Sequence, residues 1–156
     1  MKKLLRIYVD TSVIGGCFDP EFEPWSRALL EDFRARRFVP LVSEVTAAEV
    51  EEAPTSVQGI FDELVDLGSP VLAVGREALE LLAAYQQRRV LAPRFRNDML
   101  HIAVATVGRA DALVSWNFRH IVRLDKIRSF NAANEAEGYR PLAIHSPREV
   151  ATYEER

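Results

Sequence analysis

The stretch Arg6-Ile-Tyr-Val-Asp-Thr-Ser-Val-Ile-Gly-Gly16 decides how this chain is read. Its run Arg6 to Val9 reads as a buried first strand, and it stops at Asp10, which two hydroxyl residues, Thr11 and Ser12, follow at once. Further short apolar runs lie at Phe38 to Val42, Pro70 to Val74, Ala112 to Ser115 and Leu142 to Ile144, with segments of helical period between them. Parallel neighbours need a crossover of a dozen or more residues, usually a helix, so this alternation predicts an α/β domain with a largely parallel sheet of five strands.

The helix signals are local and physical. Ser146-Pro147-Arg148-Glu149 combines a hydroxyl cap, a proline at the first helical position and a glutamate at the third, a capping box that starts a C-terminal helix. Pro54 divides a helix beginning near Glu44 from a second one over Thr55 to Leu67, which Gly68-Ser69-Pro70 ends. Asn97 is the expected cap of an apolar, central helix running on to Ala110.

Composition sets the outer limits. At 156 residues, with 48% hydrophobic and 28% charged residues, the chain has the profile of a soluble globular protein. No apolar stretch approaches the roughly 20 residues needed to span a bilayer. Lys2, Lys3, Leu4 and Leu5 do not continue as a signal peptide, because Arg6 and Asp10 interrupt them, and a cytoplasmic location is expected. Cys17 is the single cysteine, which excludes an intrachain disulfide and a thiolate metal cluster. A net charge of −3 argues against a partner held by overall electrostatics, so local distribution matters more.

Ligands of open parallel sheets bind beyond the carboxyl ends of the strands, where Asp10 falls. Asp10 reads equally well as a cap for the next helix. Glu49 is more telling: on a helical wheel it lies roughly 40° from both Val45 and Ala53, inside the apolar arc, where a carboxylate is costly unless paired or bound to metal. Asp98 opens the central helix, where a first-turn acid also complements the helix dipole. His101, one turn later, reads as a hydrogen-bonded core histidine outside the site. Asn117 lies just past the strand ending at Ser115, and asparagine is also a common turn residue. Asp111 precedes that strand and belongs to the opposite end of the sheet.

Asp10, Glu49, Asp98 and Asn117 thus supply three carboxylates and an amide that can converge at one edge. Such a cluster repels itself unless a cation balances it. Oxygen donors select Mg²⁺ or Mn²⁺, ions that serve phosphoryl chemistry, so the residues point to a metal-dependent phosphodiesterase. Two basic runs flank these acids: Arg88, Arg89, Arg94 and Arg96 before Asp98, and Arg119, Arg123, Lys126 and Arg128 after Asn117. Arg94, Arg96, Arg119 and Arg123 are the expected nucleic-acid contacts, although charged helix faces are commonly only solvated. Trp116 and Phe118 are candidates for stacking on bases, or for packing.

The order strand-Asp10-Thr11-Ser12, then Ser43 through Thr46 to Glu49, then Asp98 on an alanine-rich helix, then Val114-Ser115-Trp116-Asn117, resembles the PIN domain nucleases. That group includes the VapC-type toxins of bacterial and archaeal toxin–antitoxin pairs. The likeness spans nearly the whole chain. It implies a single domain over 1–156, a three-layer α/β/α sandwich, Mg²⁺ or Mn²⁺ bound by the acids, and hydrolysis of RNA. It also implies a homodimer and a small antitoxin partner. Position by position, Asp10, Glu49 and Asp98 match the first three acids of the family motif and Ser12 its supporting hydroxyl. Asn117 matches the fourth, often aspartate, and brings no charge to a second metal. His120-Ile121 stands where the family often has an aspartate-phenylalanine pair, the mark of a divergent branch.

Two other functions remain open at this stage. One is a catalytically weak module that binds RNA or a protein, which the neutral Asn117 favours. The other is phosphotransfer through an aspartyl phosphate, which a strand-end Asp10-Thr11-Ser12 invites, but Ser12 stands where one class wants a second aspartate.

Overall fold

A computed structural model describes residues 3–68 and 70–152. Strands β1 (Leu5–Val9), β2 (Phe38–Leu41), β3 (Ala112–Val114) and β4 (Ala143–His145) form one parallel sheet in the order β2-β1-β3-β4. Between them run α1 (Thr11–Gly16), α2 (Glu23–Arg34), α3 (Glu44–Val50), α4 (Thr55–Leu67), α5 (Arg76–Gln87), α6 (Arg96–Val107) and α7 (Leu124–Ala136). A short α8 (Pro147–Val150) follows β4. No helix among the described residues is long and apolar enough to cross a membrane.

Strand alternation explains the layers. Tyr8, Leu41, Leu113 and Ile144 point to one face and pack with residues of α5, α6 and α7. Ile7, Val9, Ala112 and Val114 point to the other and pack with α1, α2 and α4. Helices therefore cover both faces of the sheet. Helix α3 divides its apolar residues between the two cores, Val45 to one and Val50 to the other. Helix α6 is the most enclosed: every residue from Met99 to Thr106 is buried.

Four strands form instead of five. The run expected as a strand over Pro70 to Val74 is reduced to a single bridge, in which Leu72 N donates to the carbonyl of Val42 at 3.0 Å and Glu44 N to that of Leu72 at 2.9 Å. Pro70 has no N–H to give a ladder, and β2 ends before Ser43, which turns at once into the cap of α3. Ser43 Oγ accepts from Val45 N at 3.1 Å, and Thr46 Oγ1 accepts from Ser43 N at 3.3 Å.

Other expectations hold or shift by a residue or two. α4 covers Thr55–Leu67, and Glu149 Oε1 accepts from Ser146 N at 3.1 Å to complete the C-terminal capping box. Ser69, part of the stop after α4, lies outside the described residues. Gly68 is needed there, since a Cβ would come within 2.2 Å of the Pro40 carbonyl oxygen. Asn97 is not the cap of α6. A 3-10 turn at Pro93–Phe95 leads straight into the helix, so Phe95 takes the cap position and Asn97 lies in the first turn.

Candidate active site

The carboxyl edge of the sheet gathers the predicted residues, each placed by a different element. Asp10 follows β1 in extended conformation (φ −84°, ψ 174°) and caps α1, with Oδ1 accepting from Val13 N at 3.2 Å. The capping role left open by the sequence is therefore real. The carboxylate also receives two hydroxyls: Ser12 Oγ donates to Oδ1 at 2.6 Å and Ser115 Oγ to Oδ2 at 2.5 Å. Each serine accepts in turn from the loop leaving β3. Trp116 N donates to Ser12 Oγ and Asn117 N to Ser115 Oγ, both at 2.9 Å. Two hydroxyls thus lock Asp10 to the outgoing chain of β3, and the carboxylate is only 4% exposed. Burial pushes its carboxyl above the ordinary aspartate value, against the opposing pull of His101 and of these donors.

Glu49 projects from α3 to the same edge. Its Oε1 accepts from Thr11 Oγ1 at 2.8 Å and pairs with His101 Nε2 at 2.6 Å. Burial raises the glutamate, but hydrogen bonds from His101, Thr11 and Asn97 and the charge of His101 outweigh it, leaving the carboxyl below its usual value. Glu49 is the acid best prepared to stay ionised.

Asp98, in the first turn of α6, has the opposite balance. Burial lifts its carboxyl and the charges of Asp10 and Glu49 lift it further, while His101 and His120 oppose. The three acids therefore feel one another. Asn117 reaches Asp98 through its amide nitrogen, with Nδ2 donating to Oδ2 at 3.3 Å. Its Oδ1 accepts from the backbone N–H of Arg119 at 3.2 Å and of His120 at 2.9 Å. Asn117 thus spends its oxygen on its own turn, the bland role the sequence also allowed, and offers the acids a donor.

His101 was set outside the site on sequence grounds and stands at its centre. Nδ1 contacts Tyr8 OH at 2.6 Å, and Tyr8 OH contacts Ser43 Oγ at 2.7 Å. Because the Glu49 carboxylate only accepts, Nε2 carries the proton. The buried chain Ser43–Tyr8–His101–Glu49 then has every group paired, and it links the cap of α3 to the acid that α3 carries. Spacing held the clue: Tyr8 shares a strand face with Asp10, and His101 a helix face with Asp98. Ser115 ends the apolar run that begins at Ala112, but its bond to a residue 105 positions away has no local signature.

The basic residues are exposed around this edge. Arg94 lies over the ring of Phe95, 4.8 Å from its centroid, and the Phe95 ring meets that of His120 at 3.9 Å, which joins the turn before α6 to the turn after β3. Arg123 pairs with Asp125 at 2.8 Å, while Arg96 and Arg119 are solvent-facing. Trp116 is packing, buried and stacked on Phe22 at 4.3 Å, whereas Phe118 is half exposed.

The donor chemistry, hard oxygens that repel one another, fits a divalent cation. The side chains are not assembled as a cage: among the described residues no group of three or more His, Cys, Asp or Glu is placed to hold a metal ion.

No protein-family model matches the chain, and no curated protein matches it either. Two solved structures are similar in fold. One is VapBC2 from Rickettsia felis bound to a DNA fragment from their promoter, at 13% identity and a TM-score of 0.57. The other is FitAcB from Neisseria gonorrhoeae, at 16% identity and a TM-score of 0.59. Each comparison covers 91% of this chain and 98% of the other. At such identity the likeness speaks for the fold, and with acids gathered at the carboxyl edge of a parallel sheet, the fold of this chain is that of the PIN domains.

Proposed function

We propose that this protein is a divalent-metal-dependent endoribonuclease of the PIN type, acting as the toxin of a toxin–antitoxin pair in the cytoplasm. The carrying observation is that acids from three distant segments, Asp10, Glu49 and Asp98, lie at one strand-end edge, where burial and then the charges of Asp10 and Glu49 raise the Asp98 carboxyl, an electrostatic strain centred on Asp98. A cation relieves that strain, and Asp10, Glu49 and Asp98 are the residues to hold it. Mg²⁺ or Mn²⁺ would contribute Lewis acidity and charge neutralisation at a phosphodiester. The chain's own residues do the rest. Ser12 and Ser115 fix the Asp10 carboxylate, Thr11 and His101 orient Glu49, and Asn117 holds Asp98. Arg94, Arg96, Arg119 and Arg123, all exposed, would meet RNA phosphates on this reading. The VapBC2 and FitAcB complexes are toxin–antitoxin assemblies, which supports an antitoxin partner here; a homodimer is proposed from the family resemblance alone.

The test is cleavage of single-stranded RNA with Mn²⁺. Asp10→Asn should abolish it, by more than about a hundredfold, while circular dichroism remains that of the native chain. Cleavage by that variant at the native rate, or undiminished cleavage by the native protein in chelator, overturns the assignment. A second reading, an RNA-binding module without catalysis, is favoured by the Asn117 oxygen, which its own turn takes up, and by the open arrangement of the acids. Native protein that binds RNA yet cleaves none with either metal selects it. Phosphotransfer by Asp10 has less support, because Ser12, which donates to Asp10 Oδ1, stands where that chemistry wants a second aspartate.

A further inference from the structure

At the amino ends of the strands, opposite the acids, a cleft of about 640 Å³ opens between the segment before β1, the α6–β3 turn and the α7–β4 connection. Such a volume suits a small-molecule ligand. We propose that this cleft binds a phosphate-bearing ligand of nucleotide size. Its wall carries four cations, Lys3, Arg6, Arg109 and Arg140, and two acids, Glu77 and Asp111.

The charges on the wall are not equally available. Asp111 is committed to Arg6, accepting from its backbone N at 2.7 Å. The Arg6 guanidinium donates to the carbonyls of Gly108 at 3.0 Å and Arg109 at 3.1 Å. That contact matters for a ligand, because the carboxyl end of a helix carries partial negative charge and repels anions. Arg6 neutralises the end of α6 where it borders the cleft. Lys3, Arg109 and Arg140 come from three separate segments, all are exposed, and none forms an ion pair among the described residues. Glu77 and Asp111 oppose them, so four cations face two acids on this wall. In a chain of net charge −3 this is a local excess of positive charge, the arrangement that gathers phosphate oxygens. The ring of Tyr139, half-buried on the same wall, supplies a flat apolar surface beside the cations.

The phosphate can belong to a free nucleotide or to an RNA strand running past the active edge, and one experiment separates them. Adenosine diphosphate and a short single-stranded RNA are each titrated calorimetrically into the full chain, with Asp10→Asn as background to prevent hydrolysis. Adding Arg109→Glu and Arg140→Glu should weaken at least one probe about tenfold, with unchanged melting temperature. Loss for the diphosphate alone identifies a nucleotide site, and loss for both identifies an RNA track. Arg109→Lys, which keeps the charge, should retain most of the binding. Equal affinity with and without the two substitutions, or no binding of either probe, overturns the proposal. Asp10 takes no part in this cleft, so the diphosphate result stands whether or not the chain cleaves RNA.

Discussion

Tyr8 sits within a strand, fully buried, and its hydroxyl is shared between His101 and Ser43. Removing it by Tyr8→Phe leaves a buried imidazole nitrogen without its partner, which should cost about 1–3 kcal/mol in urea unfolding. A loss under a few tenths would mean the relay carries no structural weight. Asp98 makes the opposite case. Its carboxyl is raised above the ordinary value of 3.8, so in the folded chain it holds its proton to higher pH than in the unfolded one. The folded state then binds more protons in that window, and stability falls as pH rises through it. Without divalent cations, Asp98→Asn should raise the melting temperature near neutrality and flatten the decline. It should also destroy RNA cleavage. A variant less stable than the native chain at neutral pH, yet more stable at pH below the aspartate value, would reverse the sign and remove the argument from repulsion.

Helix ends show where local chemistry was readable and where it was not. The boundaries of α4 and the box at Ser146 follow from residues within four positions of one another, and the sequence displays them directly. The reduction of the fifth strand does not: it depends on β2 turning into a helix at Ser43, a partner about 30 residues away. Three helices, α2, α5 and α6, are followed by arginines in left-handed conformation, Arg36 (φ 58°), Arg89 (φ 54°) and Arg109 (φ 57°), where α7 has Gly138. Nothing in the residue type announces this, since glycine is the usual choice. Arg36→Gly relieves the steric cost while loosening the unfolded chain, for a net gain of about 0.5–1 kcal/mol. Gly68→Ala acts oppositely. Its new methyl group meets the backbone of β2, and a loss of more than about 2 kcal/mol should appear in the same denaturation experiment. If both substitutions shift the urea midpoint in the same direction, backbone geometry does not govern these two ends.

On the scale of the molecule, the sheet separates two apolar cores and leaves polar residues to its edges. The acids were legible because a carboxylate at a strand end, or inside an apolar helical arc, breaks a pattern; His101 and Ser115 were not, because each obeys one. A buried histidine looks like core until the strand beside it is known to present a tyrosine and the helix beyond it a glutamate. This arrangement also makes the acidic edge a meeting point of β1, α3, α6 and the chain leaving β3, so a ligand there would restrain all four segments at once. A cation that binds only the folded chain stabilises it by about 2.7 kcal/mol at a hundred times its dissociation constant. For a chain of this size that corresponds to roughly 5–10 °C. Millimolar Mn²⁺ should therefore raise the melting temperature of the native protein by several degrees, and chelator should return it. With Asp10→Asn and Asp98→Asn combined, two of three charges are gone and the shift should fall below about 1 °C. An equal rise in the native chain and in the double variant would place the cation elsewhere on the surface, and the acids would then be a cap, an ion-pair partner and a first-turn residue without a common ligand.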